Sequence, residues 1–214
     1  DESIYIKSVF DSNSNKVVIV YRDEGNSQYG TAVVGTVSGN SISFGSDVVF
    51  ESAAVDHIAA AFDSSNNKVV IAFRDRGDNF YGKAIVGTVS GTSISFGSAA
   101  TFNSSSTIYN EITFDSKSNK VVISYFNLGA GSNGTSIVGT VSGTSISFGS
   151  AAEFESGNID HLSSAFDSSN NKVVLAYRDE GNSNYGTAVV GTVSGTSISF
   201  GTPVVFENAV VSGT

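Results

Sequence analysis

Arg22, Asp23 and Tyr29 lie in the phrase YRDEGNSQYGTAVVG at 21–35. Arg74, Asp75 and Tyr81 occupy FRDRGDNFYGKAIVG at 73–87, and Arg178, Asp179 and Tyr185 occupy YRDEGNSNYGTAVVG at 177–191. An arginine beside a carboxylate makes charge-assisted hydrogen bonds, and tyrosine adds a flat apolar face with a polar tip. These are the groups that hold a sugar: a ring stacks on its apolar face while charged groups take its hydroxyls. The phrase at 125–139, YFNLGAGSNGTSIVG, carries Phe126, Asn127 and Asn133 instead, yet keeps Gly129 and Gly134. Turn and polar cluster are therefore separable requirements. As ligand groups they form three sites of a potential four. As structural groups, Asp23 caps its own hairpin and Arg22 pairs with a carboxylate of the next repeat.

His57 and His161 are the only histidines, and each follows an aspartate, Asp56 or Asp160. Tyr5 and Tyr109 stand at the matching positions of the alternate copies. Two residues on come Lys7 and Glu111, on the same strand face because side chains repeat every two residues. Two imidazoles with two carboxylates suit a divalent cation, or the groups line an anion site at a channel mouth. The alternative is packing and hydrogen bonding between repeats. A cross-channel Lys7–Glu111 contact and a His57–His161 pair both fit this spacing.

DSNSN at 11–15 is similar to a D-x-[DN]-x-[DN] calcium loop, with equivalents starting at Asp63, Asp115 and Asp167. The bidentate glutamate of such loops is missing, and a lysine follows each time: Lys16, Lys68, Lys120 and Lys172. An Asx turn between two strands is the expectation. Catalysis finds little support. There is no cysteine nucleophile, the histidines lack a nucleophile signature, and the arginines are spread over separate repeats, so the chain is read as a non-enzyme.

The elements that must position these residues repeat. FDS begins at Phe10, Phe62, Phe114 and Phe166, and GTVSG at Gly35, Gly87, Gly139 and Gly191, each at a spacing of 52, so four copies fill 208 of 214 residues. Each copy reads as four strands, for example 55–63, 68–75, 82–91 and 92–102. Valine, isoleucine, phenylalanine and threonine dominate them, and DSSNNK, DEGNSQ and SGTS supply the turns. Four-stranded units of about 50 residues repeated head to tail point to β-propeller blades. The expected fold is all-β, a four-bladed β-propeller of antiparallel strands spanning 1–214 as one domain. Its ring would close near the termini, where ESIYIKSVF supplies a first strand and VVFENAVV a fourth. Small residues on the first strands, such as Ala59 and Ser163, suit four crowded blades. Rivals are an open β-array, a solenoid, a fragment of a longer propeller, and two chains paired into one larger ring.

The stretch FDSNSNKVVIVYRDEGNSQYGTAVVGTVSGNSISFGSDVVFES resembles tandem repeats of uncharacterised marine phage and bacterial surface proteins, over essentially the whole chain. At fold level the chain also looks like small propeller lectins and hemopexin-type four-bladed domains, without their binding motifs. RDEGNSQY is similar to the Asp-box hairpin of sialidases as a turn type: Tyr21 stands where that box has Ser or Thr.

With a net charge of −9 and 11 Lys+Arg, the chain is unsuited to phosphate-rich nucleic acid or anionic membrane surfaces. Without cysteine it has no disulfide. No apolar run is long enough to cross a membrane as a helix. The chain starts at Asp1, which suggests a processed or excised piece. These features lead to the expectation of an extracellular, virion or cell-surface module that recognises glycans or a surface protein, alone or as a homo-oligomer, several weak sites adding avidity. The alternative is a spacer or assembly domain without a small-molecule ligand. No cofactor is expected beyond an ion at the channel mouth.

Overall fold

The computed structural model describes residues 3–129 and 131–211. All eighteen elements are strands, and every pairing is antiparallel. In chain order they are β1 (Ser3–Asp11), β2 (Lys16–Asp23), β3 (Tyr29–Ser38), β4 (Ser41–Phe44), β5 (Val48–Asp63), β6 (Lys68–Asp75), β7 (Tyr81–Ser90), β8 (Ser93–Phe96) and β9 (Ala100–Asp115). Then follow β10 (Lys120–Asn127), β11 (Asn133–Ser142), β12 (Ser145–Phe148), β13 (Ala152–Glu155), β14 (Ile159–Asp167), β15 (Lys172–Asp179), β16 (Tyr185–Ser194), β17 (Ser197–Phe200) and β18 (Val204–Val210).

Each repeat builds one sheet around its third strand. In the first, β2 pairs with β1 on one side and β3 on the other. The C-terminal half of β3 turns back through Gly39, at φ 58°, onto β4, and its N-terminal half pairs with the start of β5. Glycine accepts that left-handed turn without strain. The stretch read as one fourth strand, such as 92–102, is thus two pieces: a short hairpin partner and the start of a longer strand. β5 and β9 each run for 16 residues, finishing one sheet and opening the next. After the third sheet this continuity breaks at 156–158, between β13 and β14, where Gly157 replaces Ala53 and Ser105 of the earlier copies. Glycine inside a strand weakens it.

Successive sheets pack face to face, and three apolar clusters fill the three joints. Between the first and second sheets, Val18, Val20 and Val34 meet Val69, Ile71 and Ile85. Ile123 and Leu175, the equivalents of Ile71, are likewise fully buried in the second and third joints. The continuously apolar runs such as KVVIAF are covered on both faces, as that pattern requires. Glycine fixes the spacing at each joint: a Cβ on Gly45, Gly97 or Gly149 would collide with the carbonyl oxygen of Thr92, Thr144 or Thr196 in the next sheet. Among the described residues, no hydrogen bond or ion pair joins the fourth sheet to the first. The expected Glu2 contribution to the first strand lies outside the described residues.

Candidate functional site

The first strands of the four sheets, β1, the second half of β5, the second half of β9 and β14, each carry a register shift within the same four-residue stretch. The residue at that irregularity is Tyr5, His57, Tyr109 or His161, with φ of 54°, 46°, 53° and 48°. Left-handed backbone at bulky residues costs energy and persists where surroundings enforce it. Four copies of this bulge turn four rings toward a common space. The Tyr5 and His57 centroids are 5.2 Å apart, His57 and Tyr109 5.6 Å, and Tyr109 and His161 6.2 Å. The tyrosines and histidines therefore alternate in a row, and Tyr109 separates the two imidazoles.

This row borders a pocket of about 210 Å³. Lys7 and Glu111 close one side with a 3.2 Å ion pair between the first and third sheets. Asn110 also lines the pocket, is 3% exposed, and among the described residues neither its amide nitrogen nor its oxygen has a hydrogen-bond partner. Its equivalents are Ile6, Ile58 and Leu162. A buried amide without partners is costly, and native structures contain few. His57 Nδ1 accepts a hydrogen bond from the Tyr109 backbone N–H at 3.3 Å. Burial, reinforced by Arg74, pushes the His57 pKa down to about 4, so the imidazole is neutral at physiological pH. Burial and the neighbouring Asp160 push the Tyr109 phenol up to about 12. The pocket thus gathers four aromatic rings, the buried Asn110 amide and a flanking ion pair.

The carboxylates beside the histidines both take arginine, and Asp160 also stays beside the pocket rim, its Oδ2 3.5 Å from His161 Nε2. Asp56 is buried and takes Arg22 from the first sheet and Arg74 from its own. Asp160 takes Arg178, and its Oδ1 accepts the His161 backbone N–H. Among the described residues no three His, Asp or Glu side chains converge to hold a metal ion.

In the hairpins, the charged groups already have partners inside the chain. Arg22 is 9% exposed and also pairs with Glu24, while its guanidinium lies 5.3 Å from the Tyr5 ring. Arg74 stacks over Phe80 at 5.2 Å, and Arg178 adds Glu180 at 3.1 Å. Asp23, Asp75 and Asp179 accept turn N–H groups from Gly25, Gly77 and Asn182, and Asp75 also takes Lys83 at 2.8 Å. Asn127 does the same for Gly129, so the turn cap survives in the third copy. Tyr29, Tyr81 and Tyr185 are half-buried opposite those aspartates. The loops at Asp11, Asp63, Asp115 and Asp167 are Asx turns, each Oδ1 accepting two backbone N–H groups. Lys16, Lys68 and Lys172 reach threonines instead.

Asn110 was not among the residues singled out by type and spacing. Comparing the four copies position by position would have found it, because one amide stands among three aliphatic residues.

Neither a scan against protein-family models nor a search of curated proteins gives a match for this chain.

Proposed function

We propose that the chain is a non-catalytic recognition module of a secreted, virion or cell-surface protein, that its four sheets are propeller blades, and that it binds a glycan. The binding point is the pocket at the first strands. The observation that carries this is the buried, unpartnered Asn110 amide in a pocket rimmed by Tyr5, His57 and Tyr109. An amide donates and accepts at once, as vicinal sugar hydroxyls require, and aromatic rings supply the apolar platform. The pocket suits a single sugar unit. Lys7 or Glu111 adds a charged contact when the ligand opens their exposed pair.

A glycan array followed by calorimetry tests this. Asn110→Leu, which copies the aliphatic residues of the other repeats, should weaken binding at least tenfold, the effect of about 1.4 kcal/mol. Silence across a broad array, or unchanged affinity in the variant, overturns it.

A second reading, a spacer or assembly domain, is favoured by one specific observation. Asp56 ties Arg22 to Arg74 across a joint, using hairpin charges as struts rather than as ligand groups. Under that reading the array stays silent while the strut variants lose stability.

A further inference from the structure

The chain builds the same sheet-to-sheet joint three times and leaves its two halves uncovered at the ends. On the first sheet, Ile6 and Ile42 are 58% and 43% exposed. Ile58 and Ile94, which stand in their places on the second sheet, are 1% and 3% exposed because the first sheet covers them. On the fourth sheet, Val190 is 46% and Phe206 62% exposed, whereas Val34 and Phe50 are 0% and 7% exposed under the second sheet. Gly201 has no threonine carbonyl opposite it, unlike Gly45, Gly97 and Gly149. One end therefore presents the knobs of a joint and the other presents the surface that receives them. Both surfaces are apolar, and their shape is already specified by three worked examples in the same molecule.

We propose that a second copy of this chain covers these ends. The fourth sheet of each copy packs on the first sheet of the other, and the two contacts close the pair about a two-fold axis into one ring of eight sheets. The joint reproduces the internal ones: Val190 and Phe206 of one copy take the places of Val34 and Phe50 against Ile42 and Ile6 of the other. The two-fold arrangement uses every open face once, which ends the assembly at two copies instead of a filament. The pocket described above lies on the inner side of the first strands, so each ring carries two of them. The pairing does not depend on what the pocket binds.

The test uses three forms of the full chain in sedimentation and native mass spectrometry at micromolar concentration. Wild type should run with the mass of two chains. Ile6→Glu/Ile42→Glu and Val190→Glu/Val204→Glu, with Val204 standing where Val48 packs into the first joint, should each run as single chains, because either set spoils both contacts. All four positions are exposed in the single chain, so the charges leave its own packing alone, which circular dichroism verifies. An equimolar mixture of the two variants should recover a two-chain species, since it retains one contact between unaltered faces. A wild type of single-chain mass overturns the proposal, whether the chain closes on itself or another protein covers the ends. So do species beyond two copies, or a mixture that stays monomeric.

Discussion

The joint between the first and second sheets and the joint between the third and fourth solve one problem in two ways. At the first, Asp56 is buried between Arg22 and Arg74, with Arg76 3.8 Å away. At the other, Phe126 stands where Arg22 does, is 5% exposed, and packs in the apolar cluster with Ile159 and Tyr177. Asp160 keeps one arginine from its own sheet and is more exposed. The same backbone thus tolerates an ionic strut or an aromatic plug. What the position requires is a filled volume. The charge is optional, as expected when the desolvation of an ion pair offsets most of its attraction.

The largest expected effect comes from breaking the strut asymmetrically. Asp56→Ala leaves two arginines without their shared carboxylate and should lower unfolding stability by about 3–5 kcal/mol in denaturant titration. Asp160→Ala removes the partner of one arginine, and Glu180 remains near Arg178, so the loss should be about 1.5–3 kcal/mol. Equal losses at the two joints would abolish the distinction drawn between them.

His57, wedged beside the ionic joint, sharpens the comparison through pH. Its folded pKa of about 4 lies below the ordinary value near 6.5, so the unfolded chain binds a proton first as pH falls. The resulting stability is complete above about pH 6.5 and is lost as pH drops toward 4. His57→Gln should flatten that part of the melting-temperature profile. A variant profile parallel to wild type would remove the histidine from the account. The smallest effect belongs to Arg22→Phe, which transplants the aromatic solution into the first joint and should cost less than Asp56→Ala because Arg74 still holds the carboxylate. A loss as large as that of Asp56→Ala would mean that the charge itself is indispensable there.

The strand pattern was legible because the repeat shows it four times. Lys68–Asp75 is the strand expected at 68–75, and Tyr81–Ser90 lies one residue from the expected 82–91. The split fourth strand was not legible. Its cause is the change of partner along β7, whose Gly87–Ser90 end pairs with β8 and whose Tyr81–Ala84 end pairs with β9. Local alternation carries no mark of such a change. The Lys7–Glu111 contact followed from spacing and face alone. The fate of Asp56 and Asp160 did not, because adjacency to a histidine says nothing about the arginine that reaches in from the neighbouring strand. The bulge that aims Tyr5, His57, Tyr109 and His161 was equally hidden, since neither tyrosine nor histidine advertises a left-handed backbone.

The shared strands β5 and β9 have a mechanical consequence. A load pulling along the chain passes from the first sheet to the second, and from the second to the third, through unbroken strands anchored by hydrogen bonds at both ends. Those sheets part only if a ladder is sheared. The fourth sheet is joined to the third by the non-strand stretch 156–158, where the Glu180 N–H bonds the Asn158 carbonyl, and by their apolar joint. Under tension that stretch is the fuse: it extends before either shared strand gives, and the apolar joint around Leu175 is then left to hold the fourth sheet.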